Sequence, residues 1–310
     1  MNTTIKRILV TGGAGFVGSH LVDRLVEQGY SVTVLDNFSS GLRENVNRDA
    51  LLIEGDVRDR ALVSRLVDEA DACFHLAAIA SVQKCNESWV ESHEVNQAAF
   101  VGLLESIAKR EGGVIPVVYA SSAAVYGDTH VFPVHENLPL RPISVYGADK
   151  AGCELHARAA GSKDGVPTFG LRPFNIYGSR QQASSPYSGV ITIFSDRLKR
   201  GEDLIIYGDG KQTRDFIHVG DIVNCFIAAL DKASPTAPVC NAATGKEISI
   251  LDVARKLAFI LGREARIVLA PPRAGDIVRS VADISHAQSI LGCVACVDIN
   301  EGLRFVMGDG

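Results

Sequence analysis

Two residues one helical turn apart carry the clearest chemistry in the chain: Tyr146 and Lys150, in the segment Tyr146-Gly147-Ala148-Asp149-Lys150. At i and i+4 on a helix they share a face. A tyrosine hydroxyl titrates near about 10 in water, so it serves as a base at neutral pH only where a cation holds its phenolate. Lys150 and a nearby oxidised nicotinamide could each supply that cation. Upstream, the apolar run ending at Ala120 is followed by Ser121-Ser122. At the carboxyl end of a strand, Ser122 can hold a substrate oxygen and pass its proton. Taken singly, YxxxK also fits a surface helix pair, and a serine pair after a strand also fits a cap or turn. Their order behind a phosphate loop is what gives them weight.

That loop is Thr11-Gly12-Gly13-Ala14-Gly15-Phe16-Val17-Gly18, where Gly13, Gly15 and Gly18 satisfy GxGxxG directly after an apolar strand pattern and directly before a helical one. Glycines let the backbone turn tightly and approach a pyrophosphate, and the helix N-terminus offers free N–H groups and a positive dipole end. Asp36 ends the second strand pattern, where its carboxylate can accept both hydroxyls of an adenosine ribose and repels a 2′-phosphate. The next residue is Asn37 rather than Arg, which favours NAD over NADP; Arg43 reads as solvated surface. Asp56 is placed either to meet the adenine edge or to cap the helix that follows.

Short apolar runs at Arg7 to Thr11, Ser31 to Leu35, Leu51 to Ile53, Ala72 to Leu76, Ile115 to Ala120 and Thr168 to Leu171 alternate with helical patterns near 15–28, 58–69, 88–110 and 146–161. This alternation predicts right-handed βαβ units in an α/β, doubly wound parallel sheet. The aperiodic stretch Gly178 to Gly189 reads as a long functional loop. Beyond it lie helical patterns near 190–200, 221–231 and 249–261 and a strand at Leu204 to Tyr207. We expect a cofactor domain over 1–172 and a smaller α/β substrate-binding lobe over 173–310, with segments near 215–245 returning to the large sheet.

Composition agrees with a globular protein: 310 residues, 46% apolar, 22% charged, with 31 basic and 36 acidic side chains for a net charge of −5. No block of like charge marks a nucleic-acid or anionic membrane partner. No apolar run approaches the roughly 18 residues of a membrane helix, and the start shows no signal-peptide pattern, so the expected location is the cytoplasm. Seven scattered cysteines fit free thiols. Cys293-Val-Ala-Cys296 lacks a second pair at metal spacing and reads as packing; no metal is expected.

The segments TGGAGFVG (11–18), HLAA (75–78), SSAAVYG (121–127), YGADK (146–150), LRPFNIYG (171–178) and GDGKQTRDFIHVGD (208–221) resemble the extended short-chain dehydrogenase/reductase superfamily, specifically nucleotide-sugar 4-epimerases of the UDP-glucose 4-epimerase type. The resemblance spans nearly the whole chain. It implies a Rossmann-type NAD domain in which Gly12, Gly15, Phe16, Val17, Asp36, Asn37, Asp56, Val57, Leu76, Ala77, Ala78, Asn96, Tyr146, Lys150 and Pro173 line the NAD site. Ser122, Tyr146 and Lys150 are implied as the catalytic set. It further implies that Asn175, Arg214, Arg273 and Asp276 grip the diphosphate and ribose of a UDP-sugar, that Val190 and Tyr207 flank the uracil, and that Ser280 borders the sugar. Helices near 88–110 and 146–161 resemble the pair through which such enzymes form homodimers.

Within the superfamily, 4,6-dehydratases carry acidic residues just after the catalytic hydroxyl, and the decarboxylating members usually keep a Glu there. This chain has Ala123 and Ala124. Tyr, Lys, Ser and NAD alone support reversible hydride transfer at one carbinol carbon, which suits inversion at C4 through a 4-ketose with the cofactor retained. The small Ser280 suggests that N-acetylhexoses are accepted beside plain hexoses. UDP-glucuronate 4-epimerisation, a nucleotide-sugar 4,6-dehydratase and a catalytically silent NAD-sensing protein are the other readings. Retention of Ser122, Tyr146 and Lys150 argues against the last.

Overall fold

The computed structural model describes residues 5–182, 189–272, 277–293 and 295–308. Its strands are β1 (Arg7–Thr11), β2 (Ser31–Asp36), β3 (Leu51–Glu54), β4 (Ala72–His75), β5 (Val117–Ala120), β6 (Thr168–Pro173), β7 (Asn175–Tyr177), β8 (Leu204–Tyr207), β9 (Thr213–His218), β10 (Val239–Ala242), β11 (Glu247–Ser249) and β12 (Ile267–Ala270). Its helices are α1 (Phe16–Glu27), α2 (Arg60–Asp68), α3 (Val82–Glu87), α4 (Trp89–His93), α5 (Ala99–Ala108), α6 (Val145–Asp164), α7 (Val190–Arg200), α8 (Val219–Leu230), α9 (Ile250–Ile260), α10 (Ser285–Leu291) and α11 (Ile299–Met307).

Seven strands form one sheet in the order β10-β6-β5-β4-β1-β2-β3, with every neighbouring pair parallel. The side-chain period of two splits β1 between both faces. Ile8 and Val10 join Leu21, Leu25, Phe169, Ile222 and Phe226 under α1 and α8. Leu9 joins Leu35, Leu66, Phe100, Leu103 and Tyr119 under α2 and α5. Burial on both faces explains why these strands read as continuous apolar runs. The strand order reverses between β1 and β4, so a crevice opens at their carboxyl ends, where open α/β sheets bind ligands.

After β6 the chain leaves this sheet and returns through α8 and β10. The intervening and following segments make a three-stranded sheet in the order β11-β9-β7 and a parallel pair of β8 with β12. They pack with α7, α9 and α11 around Phe194, Leu204, Ile206, Val253, Leu257 and Leu303. The helical pattern near 88–110 is interrupted: α4 and α5 are joined by a π-helical turn at Glu94–Ala98. The turn brings Asn96 inward, where its Oδ1 accepts from the Ile79 N–H at 2.7 Å and its Nδ2 donates to the Ile79 carbonyl at 3.2 Å. Periodicity alone does not reveal such a single-turn insertion, which tends to occur at functional sites. No helix among the described residues is long and apolar enough to cross a membrane.

Candidate active site

The glycine turn is dictated by close approach. Gly12 has φ of +73°, and a Cβ there would lie 2.6 Å from the Ala77 nitrogen; a Cβ on Gly18 would lie 2.1 Å from the Gly12 carbonyl oxygen. Only glycine fits both places. Gly13, Ala14 and Gly18 are buried, whereas Gly12, Gly15, Phe16 and Val17 are partly exposed. Helix α1 begins at Gly15 with no side-chain cap and no acidic residue in its first turn. By contrast α2, α3, α6 and α9 are capped by Asp59, Ser81, Ser144 and Ser249. The uncapped amides and the tight turn fit a pyrophosphate.

Asp36 is buried at the end of β2, and its carboxylate accepts from the Ala14 N–H at 3.0 Å and the Phe38 N–H at 2.8 Å. Those bonds aim it while leaving lone pairs for a ribose diol. Asn37 donates to Asp56 Oδ2 at 3.0 Å. Asp56 is not the helix cap, which is Asp59. Instead it receives Arg58 Nε at 2.9 Å and Nη2 at 2.8 Å, and this pairing holds its carboxyl at about 2. Arg43 lies over the Phe38 ring and pairs with Glu54, a surface placement. Leu76, Ala77 and Ala78 form the opposite wall at the end of β4, tied to β1 by Leu76 N–H to the Thr11 carbonyl at 3.0 Å. Asn96 is fully buried and holds this wall through Ile79. Val57 lies at the foot of a separate cavity of about 240 Å³ between α2 and α5.

Across the crevice, Ser144 caps α6 by accepting from the Gly147 N–H at 3.1 Å, which sets the register of Tyr146 and Lys150. Lys150 is 2% exposed, donates from Nζ to the Ala120 carbonyl at 2.8 Å, and lies 5.7 Å from the centroid of the Tyr146 ring. Ser122 caps a 3-10 turn at Ala123–Tyr126, its Oγ accepting from the Ala124 N–H at 3.1 Å. A cavity of about 210 Å³ opens beside it, lined by Ser122, Ala123, Pro173, Asn175, Arg214 and Ser280, among others. Asn175 donates to the Asp215 carbonyl at 3.0 Å and Arg214 to the Ile277 carbonyl at 2.6 Å, so both are oriented by the smaller lobe.

Residues 8–243 match the profile of the NAD dependent epimerase/dehydratase family. The chain belongs to that family. It is 36% identical over 304 residues to a UDP-glucose 4-epimerase of Mycolicibacterium smegmatis, covering 96% of both chains. Its fold superposes on the UDP-glucose 4-epimerase of Thermotoga maritima, solved with UDP-glucose, with a TM-score of 0.93, 37% identity and 97% of both chains covered. A UDP-N-acetylglucosamine 4-epimerase of Methanobrevibacter ruminantium, in complex with UDP-N-acetylmuramic acid, gives a TM-score of 0.93 at 35% identity, covering 98% of this chain and 97% of that one.

Within this family fold the sequence-predicted residues fall into groups. Ser122, Pro173, Asn175, Arg214 and Ser280 share the wall of one cavity, Lys150 lies beside the Tyr146 ring with its Nζ on the Ala120 carbonyl, and the glycine turn, Asp36 and Leu76 to Ala78 follow the carboxyl ends of β1, β2 and β4. Val190, at the start of α7, and Tyr207, at the end of β8 opposite Ala270, stand in the smaller lobe away from the cavity wall. Arg273 and Asp276 lie outside the described residues. Cys293 packs against α8 and Cys296 is exposed, and no group of three metal-ligating side chains occurs among the described residues. Sequence reasoning missed Arg279, which lines the cavity while its Nε and Nη2 bond Glu247 at 3.0 and 2.7 Å. It also missed Glu154 and Arg172. A signal existed for each: Glu154 continues the i+4 stripe of Tyr146 and Lys150, and Arg172 is a lone charge in an apolar strand.

Proposed function

We propose that the protein inverts C4 of a UDP-hexose, UDP-glucose/UDP-galactose and also the N-acetylated pair, with NAD held throughout the cycle. The observation that supports this reading best is Tyr146 and Lys150 on one face of α6, with Lys150 bonded to the Ala120 carbonyl two residues before Ser122, which lines the neighbouring cavity.

Gly12, Gly15, Phe16 and Val17 would hold the pyrophosphate, Asp36 the adenosine ribose, and Asn37 with Asp56 the adenine side, while Leu76, Ala77 and Ala78 would wall the nicotinamide half. The chemistry that NAD supplies when bound is reversible hydride exchange with the sugar carbinol carbon. Tyr146, beside the buried side chain of Lys150, takes the proton from the 4-hydroxyl. Ser122 holds the same oxygen and shares its proton. The substrate oxygen is thus carbonyl-like midway, and Tyr146 returns the proton after the sugar has turned over. Asn175 and Arg214, with Arg273 and Asp276, would anchor UDP while the sugar rotates in the cavity.

Ala123 and Ala124, which line that cavity, offer no acid for elimination or decarboxylation. A uronate would need a cation for its carboxylate, and Arg279 is already engaged by Glu247; this supports a neutral sugar. Exposed Trp89 and Val90 on α4 and Leu155 on α6 support a homodimer through these helices, which sedimentation velocity would test. The primary experiment incubates the purified protein, without added NAD, with UDP-glucose, UDP-GlcNAc and UDP-glucuronate separately and resolves the products by chromatography. The expected result is 4-epimer from the first two. No conversion even after NAD is supplied would overturn the proposal.

A further inference from the structure

The stripe of α6 that carries Tyr146 and Lys150 carries Glu154 one turn further on, and Glu154 is 2% exposed. Its Oε1 accepts from Ser121 Oγ at 2.5 Å and from Arg172 Nε at 2.8 Å; its Oε2 accepts from Arg172 Nη2 at 2.6 Å. Arg172, 1% exposed in β6, also donates from Nη1 to Tyr126 Oη at 2.8 Å and to the Glu136 carbonyl at 3.1 Å. Tyr126 Oη in turn donates to Asn241 Oδ1 at 2.6 Å, and Asn241 Nδ2 donates to the Val134 carbonyl at 2.9 Å. One buried network therefore joins α6, β6, β10 and the segment after β5.

The placement of its members matters more than their number. The 3-10 turn at Ala123–Tyr126, which Ser122 caps, is held at both ends: Ser121 just before it is bonded to Glu154, and Tyr126 at its end is bonded to Arg172. A buried ion pair is weak evidence for stability, since apolar residues of similar volume commonly serve as well. What apolar contacts do not provide is a fixed direction, and a fully bonded polar network does. Ser122 Oγ accepts from the Ala124 N–H within the turn, so its orientation depends on where the turn is pinned.

We propose that the Glu154–Arg172 pair positions Ser122: the helical stripe that carries the Tyr146 base also fixes, through Ser121 and Tyr126, the turn that presents the second hydroxyl. Glu154, Arg172 and Ser121 are positioning residues. The catalytic consequence rests on the epimerase reading; the positioning does not.

Ser121→Ala tests this, because it removes one donor and leaves every charge in place. Three quantities are read on the full chain: hydrogen exchange of the segment 119–127 by mass spectrometry, kcat and KM for UDP-glucose, and the thermal midpoint. The expected result is faster exchange over 122–127 and a kcat about 10-fold lower, because small misplacement of a reacting group is costly. KM should stay within about twofold, since binding contacts come from other residues. Unchanged exchange overturns the proposal, and so does faster exchange with unchanged kcat. A lowered thermal midpoint with kcat intact would make the network merely structural. If the wild-type protein converts no UDP-sugar, the epimerase reading fails while the exchange measurement still decides whether Ser121 pins the turn.

Discussion

Lys150 holds its Nζ 5.7 Å from the centroid of the Tyr146 ring while donating to the Ala120 carbonyl at 2.8 Å, so a buried amino group is fixed beside the ring of the proposed base. Tyr146→Phe should lower kcat by about 10³-fold, in the range that general acid–base groups supply. Lys150→Met should lower it by about 10²-fold, because the proposed base loses the side chain fixed beside its ring. Calorimetry should find UDP-sugar binding unchanged in the tyrosine variant. More than a tenth of wild-type kcat in Tyr146→Phe would remove Tyr146 from this role.

His75 gives the fold a pH dependence of its own. Burial, and after it the Lys150 charge, hold the imidazole down at about 3 against an ordinary 6.5, and its Nδ1 shares a 2.9 Å hydrogen bond with Thr11 Oγ1. Between those values the unfolded chain binds a proton that the folded chain refuses. Stability therefore rises with pH through this window, by up to about 1.4 kcal/mol per unit, and the full benefit is present above 6.5. Urea midpoints taken at pH 7, 5.5 and 4.5 should fall steadily for the wild type and less steeply for His75→Gln. Identical slopes in the two proteins would place the acid sensitivity elsewhere.

The carboxylate of Asp36 serves the fold and, in the proposed function, the cofactor as well. It accepts two backbone N–H groups, from Ala14 and Phe38, at the carboxyl end of β2. Asp36→Ala leaves those donors unpaired and should destabilise by about 1–3 kcal/mol. It should also strip copurifying NAD, measured by absorbance after gel filtration. Asp36→Asn keeps one acceptor and should separate the effects, holding the thermal midpoint nearer to wild type while still losing NAD. Full NAD retention in Asp36→Asn would contradict the assignment of the ribose to this residue.

The parallel sheet was legible because its strands are buried on both faces, which leaves unbroken apolar runs such as Ile8 to Val10. The smaller lobe was less so: β7 and β11 are three residues each, and their pairing with β9 depends on contacts across about 30 to 40 residues that no local period encodes. The glycine turn and the Tyr146–Lys150 stripe could be read because one turn and one helix hold each of them. Ser122 was found, but not what pins it, since Ser121, Tyr126, Glu154 and Arg172 come from separate elements. Asp56 shows the same limit at short range: its bidentate partner Arg58 stands two residues away, while the cap is the next carboxylate, Asp59. Asn96 faces inward only because of a π turn.

Ser280 lines the same cavity as Ser122, Ala123, Asn175 and Arg214, and its side chain is small. An N-acetyl group adds volume that a bulky residue there would exclude, whereas a 2-hydroxyl needs little room. Ser280→Tyr should therefore lower kcat/KM for UDP-GlcNAc by about 10–200-fold relative to UDP-glucose, the span that one pocket residue commands. The loss should appear in the ratio of the two substrates measured in competition, which cancels any common effect on NAD or UDP binding. Equal losses on both sugars would mean that Ser280 shapes the lobe rather than the sugar pocket. The N-acetyl preference would then have to be sought elsewhere on the cavity wall, with Thr129 and Val134 the next positions to vary.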